Sequence, residues 1–179
     1  MRITLTTGTG LLATAFAATA VALSPLAAAQ PAPVDPGDGS LSDDQVLTPF
    51  DVQDPAIGRL NPALLSAVQN AANAAAAEGI TMTITSGWRS PEFQQRLLDD
   101  AVVTYGSFEA ARQYVNTPQL STHVTGDAVD VGGVGADQWL IANGSRFGLC
   151  QIYANELWHF ELATDALGVC PPLRPNAAG

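Results

Sequence analysis

The 179-residue chain contains only two histidines, and each stands in a segment that also carries acidic residues. His123 and Asp130 belong to the segment STHVTGDAVD (121–130), and Glu156 and His159 belong to ELWH (156–159). A catalytic zinc ion takes three nitrogen or oxygen ligands from the protein and keeps one position open for water. His123, Asp130 and His159 can supply that set, and Glu156 can accept the proton of the water. This interpretation requires a fold that brings the two segments together.

The N-terminal 29 residues predict a secretory signal peptide. Arg2 gives a short positive region, an apolar stretch follows over about 11–23, and three alanines at 27–29 offer a cleavage site. A membrane anchor is the alternative, but the stretch is short for a bilayer span of about 20 residues. We therefore expect a secreted or cell-envelope protein, extracytoplasmic and without stable membrane insertion once the signal is removed.

The charge of the chain argues against two classes of partner. The formal net charge is −10 and there is no lysine; removal of Arg2 with the signal peptide would change −10 to −11. An acidic surface repels nucleic acid and anionic membranes. The simplest interpretation of the charge is solubility outside the cell.

Cys150 and Cys170 are the only cysteines of the chain. In a secreted protein such a pair most often forms a disulfide, and metal ligation by thiolates is the alternative. We favour the disulfide because a complete nitrogen and oxygen ligand set is already present. The loop it closes contains Glu156 and His159, so the bond would help to hold half of the proposed site.

The rest of the chain predicts a leader and one domain. Residues 30–57 are rich in Pro, Asp, Gly and Ser and predict a flexible leader able to lie along the domain. Residues 58–179 are enough for one domain with its own core. Hydrophobic patterns and helix-start signals at Asn61 and Ser90 predict helices over 62–78, 91–103, 107–115 and 136–143, and strands over 80–85, 128–131, 149–153 and 157–162. Trp158 is expected in the core, on the strand face opposite His159.

Three blocks of the chain, in order, resemble the zinc D-alanyl-D-alanine carboxypeptidase family, which includes VanY-type carboxypeptidases and VanX-type dipeptidases. The blocks are SGWRS (86–90), with Gln95 and Leu97 downstream, S-x-H-x-x-G-x-A-x-D (121–130) and E-x-W-H (156–159). The resemblance spans about residues 62–162. It implies an α+β fold with a small central antiparallel sheet and helices packed on it, the D-Ala-D-Ala metallopeptidase or hedgehog-like fold. Trp88, where Tyr is frequent, and Asp127, an added charge, are departures from the pattern.

The resemblance also implies a role for each site residue. The two histidines and Asp130 would bind Zn²⁺, and Glu156 would be the catalytic base. Arg89 would polarise the scissile carbonyl, and Ser121 would hold the terminal carboxylate of the substrate. Arg89 stands just before a predicted helix N-terminus, where the helix dipole disfavours a cation, so a nearby anion is a reason for its presence. An incidental surface ion pair is the commoner fate of an arginine.

The implied function is a secreted zinc-dependent D,D-carboxypeptidase. It would cleave the terminal D-Ala of peptidoglycan stem peptides with a metal-activated water, and we expect a monomer. Endopeptidase and dipeptidase activities on the same fold are alternatives, although a secretion signal argues against a cytoplasmic dipeptidase. A non-catalytic zinc-containing module that binds the cell wall is an alternative from another class. The presence of Glu156 favours an enzyme.

Overall fold

The structure is a computed structural model that describes residues 37–42 and 44–179. The predicted signal peptide, residues 1–29, lies outside the described residues. Among the residues that are described, no helix is both long enough and apolar enough to cross a membrane.

A four-stranded antiparallel sheet carries the candidate site. Its strands are β1 (Thr83–Ser86), β2 (Ala128–Gly132), β3 (Leu149–Gln151) and β4 (His159–Leu162), in the spatial order β1-β2-β4-β3. Successive side chains of a strand point to opposite faces. In β2 and β4 this alternation sends Val129, Val131 and Phe160 into the core and leaves Asp130 and His159 on the other face. The sheet therefore has one apolar face and one face that carries chemistry.

Two helices cover the apolar face of the sheet. Helix α2 (Pro62–Ala77) buries an apolar stripe that includes Leu64 and Val68, and α6 (Ala136–Asn143) buries Trp139 and Leu140 in the same core. A 3₁₀ helix (Gly144–Phe147) follows α6. The predicted α+β fold, a small antiparallel sheet with helices packed on it, is confirmed.

The remaining helices are α1 (Pro55–Gly58), α3 (Pro91–Tyr105), α4 (Phe108–Ala111) and α5 (Thr122–Thr125). Helix α1 buries Ala56 and Ile57 in the same core, whereas α3 and α4 pack on each other in a separate, smaller cluster. The predicted start signals are confirmed, because Asn61 accepts a hydrogen bond from the Ala63 amide at 3.0 Å and Ser90 accepts one from the Phe93 amide at 3.0 Å.

Four predicted elements are clearly shorter than predicted. Strand β3 ends at Gln151 and not at residue 153, and β4 begins at His159 and not at residue 157. The other two are β1 and α4. The Ile80 amide donates to the Ala75 carbonyl at 3.0 Å, which is the bond that closes a helix end, so Ile80 belongs to the cap of α2 and β1 begins only at Thr83. The helix predicted over 107–115 ends at Ala111, and the chain after it turns toward the site.

The second half of the predicted leader is packed on the domain. Leu47 is buried and pairs with Ile84 of β1, and Ile57 is fully buried. The boundary predicted between residues 57 and 58 falls inside α1. The sequence shows no periodicity here because a few isolated apolar side chains, and not a regular stripe, anchor the segment.

Candidate active site

The register of β2 and β4 places two of the three predicted ligands side by side. Asp130 is directly opposite His159 in this antiparallel pair, and both side chains are buried on the face away from the core. Directly opposite residues of an antiparallel pair hold their Cβ atoms about 4.5–5.5 Å apart. The sheet therefore brings together a carboxylate and an imidazole that are far apart in sequence.

The third ligand candidate, His123, comes from α5, the short helix just before β2. Gly126 ends α5 with a left-handed φ of +77°, and a Cβ at this position would lie 2.6 Å from the Arg59 carbonyl oxygen. Only glycine fits both conditions, so the chain can turn from α5 into β2 within two residues. The Arg89 amide donates to the His123 carbonyl at 3.1 Å, which ties α5 to the SGWRS block.

The three donor atoms have the spacing of a tetrahedral metal site. Asp130 Oδ1 lies 3.3 Å from His123 Nε2 and 3.1 Å from His159 Nδ1, and the two ring nitrogens are 3.2 Å apart. Ligands at about 2.0–2.1 Å from a tetrahedral zinc ion are about 3.3–3.4 Å apart. The donor set thus fits zinc in both chemistry and geometry.

Hydrogen bonds behind the two rings place a proton on the outer nitrogen of each ring. His123 Nδ1 lies 2.8 Å from the Gly87 carbonyl oxygen, and His159 Nε2 lies 3.0 Å from Glu161 Oε1. A carbonyl or carboxylate oxygen can only accept, so these outer nitrogens carry the hydrogens. In the neutral rings His123 Nε2 and His159 Nδ1 then present lone pairs to the carboxylate oxygen between them. Three electron-rich atoms that face one point are suited to bind a metal cation there, and outer partners of this kind are typical of histidine ligands.

The pKa values in the cluster show how strongly its carboxylates attract positive charge. Burial opposes the charge of Asp130, but His123, His159 and Arg89 outweigh it and hold the pKa of this carboxyl well below its usual range. Burial, together with Arg89, lowers the pKa of His123. Burial also opposes the charge of His159, yet its hydrogen bonds to Asp130 and Glu161 raise its pKa to about 9. The cluster therefore attracts positive charge to the side of His159 that faces Asp130.

Glu156 lies in the turn before β4 with one carboxylate oxygen unused. Its Oε2 is 3.9 Å from His159 Nδ1, whereas Oε1 is buried and has no hydrogen-bond partner in the described part of the chain. Burial is the main cause that raises the pKa of Glu156, to about 7. A buried carboxylate with a free oxygen beside a metal-type donor set has the position and basicity of a general base.

Arg89 is held behind Asp130 by a network that the sequence did not reveal. Its guanidinium donates to Asp130 Oδ2 at 2.9 Å, to Ser86 Oγ at 2.8 Å and to Gln94 Oε1 at 3.1 Å. The family resemblance included Gln95, but Gln95 is exposed and its side-chain amide donates a hydrogen bond to Asp99. Gln94 falls four residues before buried Leu98, on the inner face of α3, and this helical spacing was the available signal.

Glu161 is the second residue that the sequence reasoning missed. Its carboxylate accepts hydrogen bonds from His159 Nε2 at 3.0 Å and from Thr122 Oγ1 at 2.9 Å. Burial opposes its charge, but His159 and Thr122 lower its pKa below the usual value. The alternation of β4 could have indicated it, because Glu161 and His159 are two residues apart and share a face.

A cavity of about 210 Å³, hereafter the metal-side cavity, opens onto these groups. The three ligand candidates, Arg89, Ser121 and Glu156 all line it. Ser121 precedes α5 but makes no side-chain capping bond, so its hydroxyl is available to a ligand. Trp158 also lines the cavity and is 45% exposed. The expected core position of Trp158 is therefore wrong. Because residues 157–158 form a turn before β4, the alternation of strand side chains does not apply to Trp158.

The disulfide between Cys150 and Cys170 is present in the structure. It joins β3, next to β4, to the segment that follows the sheet. The Arg174 amide donates to the Ile152 carbonyl at 2.9 Å, and Ala177 lines the metal-side cavity. The disulfide thus anchors a segment that forms part of the cavity wall.

The chain matches known proteins over the region that carries this site. The family model "VanY: D-alanyl-D-alanine carboxypeptidase" matches residues 58–163. A D-alanyl-D-alanine carboxypeptidase of Enterococcus faecalis is 32% identical over 127 residues, which cover 57% of this chain and 46% of the relative. The chain therefore spans less than half the length of that curated relative.

Two crystal structures of vancomycin-resistance enzymes are also similar. A mutant of the D,D-pentapeptidase VanY in complex with Zn(II) is 28% identical with a TM-score of 0.54, over 57% of this chain and 71% of that one. The D,D-dipeptidase VanXYg in complex with a phosphinate analogue of D-Ala-D-Ala is 26% identical with a TM-score of 0.54, over 64% of this chain and 54% of that one. Fold, donor set and family match agree: the chain belongs to the VanY family of D-alanyl-D-alanine carboxypeptidases.

Proposed function

We propose that this protein is an extracytoplasmic zinc-dependent D,D-carboxypeptidase that removes the terminal D-Ala from peptidoglycan stem peptides. The observation that carries the proposal is the donor set of His123, Asp130 and His159 with the unpartnered oxygen of Glu156 beside it in one cavity. The related VanY structure holds Zn(II), and the related VanXYg structure holds an analogue of D-Ala-D-Ala. The proposed organisation is a signal peptide (1–29), a leader (30–57) whose last residues pack into the domain as part of α1, and a peptidase domain (58–179).

His123, Asp130 and His159 would hold the zinc ion, which would supply the Lewis acidity for activating water and polarising the scissile carbonyl. Glu156 accepts the proton of the attacking water on Oε1 and returns it to the amine of the departing D-Ala. Because Oε1 of Glu156 is buried and has no hydrogen-bond partner among the residues that the structure describes, no competing hydrogen bond must break first.

Arg89 and Ser121 complete the proposed reaction site. Arginine has five N–H donors, and three hydrogen bonds to the protein fix the guanidinium of Arg89 at the cavity wall. Its remaining donors stabilise the negative charge that develops on the carbonyl oxygen. The Ser121 hydroxyl binds the terminal carboxylate of the substrate and so selects a chain end.

A non-catalytic wall-binding module explains less of this site. Such a module needs the metal ligands for stability, but it has no use for a buried carboxylate with an unsatisfied oxygen, which costs free energy to maintain.

The test uses metal-stripped protein restored with Zn²⁺ and an N-acylated tripeptide that ends in D-Ala-D-Ala. Mass spectrometry should detect the loss of a single D-Ala from this peptide and no loss from the matched L-Ala-L-Ala peptide. Release of D-Ala-D-Ala as a dipeptide would reassign the enzyme to another cleavage position. Absence of any cleavage by the zinc-loaded protein would contradict the proposal.

A further inference from the structure

The segment that follows the sheet lies against the face that carries the candidate site. We define residues 170–179 as the disulfide-linked segment; they lie outside the region 58–163 that the family model matches. In the antiparallel pair of β3 and β4, Cys150 is directly opposite Glu161. Directly opposite residues of such a pair share a face, so Cys150 lies on the same face as Glu161 and His159. The disulfide to Cys170 therefore begins the segment beside the acid that accepts from His159 Nε2.

Backbone hydrogen bonds fasten the disulfide-linked segment on both sides of Tyr153. The Arg174 amide donates to the Ile152 carbonyl at 2.9 Å, and the Ala154 amide donates to the Arg174 carbonyl at 2.8 Å. Tyr153 and Arg174 thereby form a parallel bridge. The segment also packs into a small apolar cluster that includes Cys150, Ile152, Tyr153, Cys170 and Ala177. Tyr153 is therefore held between the sheet and the segment.

The side chain of Tyr153 connects the disulfide-linked segment to His159. The centroids of the two rings are 5.0 Å apart, and the ring planes are tilted by 41°. Burial and the charge of Glu161 raise the pKa of Tyr153, whereas the charge and the hydrogen bond of Arg174 oppose this rise. The phenol is therefore neutral at physiological pH, and its oxygen accepts from the Arg174 guanidinium. Arg174, Tyr153 and His159 thus form a chain of contacts from the segment to a zinc-ligand candidate.

The contact with Tyr153 restricts a motion that the hydrogen bonds of His159 leave open. The two ring nitrogens of His159 bond Glu161 at 3.0 Å and Asp130 at 3.1 Å. A rotation of the imidazole about the line through its nitrogens disturbs these two bonds little, because hydrogen bonds tolerate a moderate change of angle. The same rotation turns the Nδ1 lone pair away from the metal position. The Tyr153 ring packs against the imidazole and blocks this rotation.

We propose that Tyr153 is a positioning residue for the ligand His159 and that the disulfide-linked segment holds Tyr153 in place through Arg174. This inference rests on the proposed function, because His159 needs a fixed ring only if it binds zinc. Outer partners that orient a histidine ligand strengthen metal binding. The segment therefore slows the release of zinc, in addition to forming part of the cavity wall.

The rate of zinc release from the full chain to a chromophoric chelator tests the role of the Tyr153 ring. Tyr153→Leu removes the ring and should release zinc at least about tenfold faster, within the range known for the loss of an outer partner of a metal ligand. The visible spectrum of the Co²⁺-loaded variant should also change, because it reports the geometry of the ligands. Tyr153→Phe keeps the ring and should restore the wild-type Co²⁺ spectrum.

Arg174→Ala tests the connection to the disulfide-linked segment. It should release zinc about fivefold faster, the effect of one hydrogen bond of ordinary net strength. Tyr153→Phe should have the same effect on this rate, and the double variant should release zinc no faster than either single variant, because both changes break one contact. The side chain of Arg174 is exposed, so this variant keeps the test valid if Tyr153→Leu does not fold. Leu173→Ala is the matched control, because Leu173 is exposed in the same segment.

Less than about a threefold increase of the release rate in Tyr153→Leu would overturn the inference, since outer partners usually contribute more. Additive effects in the double variant, or an equal effect of Leu173→Ala, would also overturn it. These outcomes differ from a failure of the proposed function, in which the wild type itself would bind no zinc.

Discussion

The hydrogen bond between Glu161 and His159 leads to a quantitative expectation for zinc affinity. Glu161→Ala removes the acceptor for His159 Nε2 and for Thr122 Oγ1, which now lie 3.0 Å and 2.9 Å from Glu161 Oε1. His159 is only 3% exposed, so water replaces the lost partner poorly. Loss of an outer partner typically weakens metal binding by about 10–100-fold. On this basis the variant should lose about 1.4–2.7 kcal/mol of zinc-binding free energy.

Competition with a chromophoric chelator measures this affinity without reference to turnover. Glu161→Gln keeps an oxygen acceptor but loses the charge, so its affinity should fall between those of the wild type and Glu161→Ala. Glu109→Ala is the control for the loss of one negative charge, because Glu109 is exposed in the first turn of α4. A folded Glu161→Ala protein that binds zinc within about threefold of the wild type would refute the reasoning, since the strand alone would then orient His159.

Three further predictions concern the ligands, the arginine and the disulfide. His123→Ala should no longer bind one zinc ion per chain, since a metal site of this type needs three protein ligands. Metal analysis after dialysis measures the zinc content, and full retention of zinc would exclude His123 as a ligand. Arg89→Lys should lower kcat by about 10²–10³-fold with a smaller change in KM, because lysine lacks the planar fork; a higher KM at unchanged kcat would assign Arg89 to ground-state binding. Cys170→Ser should lower the free energy of unfolding by about 3 kcal/mol in denaturant titrations, as expected for a disulfide across a sequence separation of 20 residues. An unchanged free energy of unfolding would show that the disulfide does not stabilise the fold.

The sequence was sufficient where function depends on local spacing. The helix caps at Asn61 and Ser90 follow from short-range hydrogen bonds, and the strand alternation around Asp130 separates core from site residues. Motif spacing alone singled out the histidines, whose ring nitrogens meet at 3.2 Å.

Features that depend on tertiary packing were not predictable in the same way. Glu161 reaches Thr122 only because β4 pairs with β2 in one particular register and α5 sits beside that pair. The choice between Gln94 and Gln95 depends on the rotation of α3 about its axis. The leader was predicted as flexible from its composition, but Leu47 finds a partner at the edge of β1, a contact that no local pattern encodes.

The most direct test of the central claim is zinc content and D-Ala release measured on one preparation of Glu156→Gln. Glu156 lies beside the site, with its Oε2 3.9 Å from His159 Nδ1, but it is not one of the three proposed zinc ligands. The variant should therefore keep one zinc ion per chain. Its rate of D-Ala release from the acylated D-Ala-D-Ala peptide should fall by about 10²–10⁴-fold, the usual contribution of a general acid–base group. A variant that retains zinc and releases D-Ala at nearly the wild-type rate would contradict the assignment of Glu156 and the mechanism built on it.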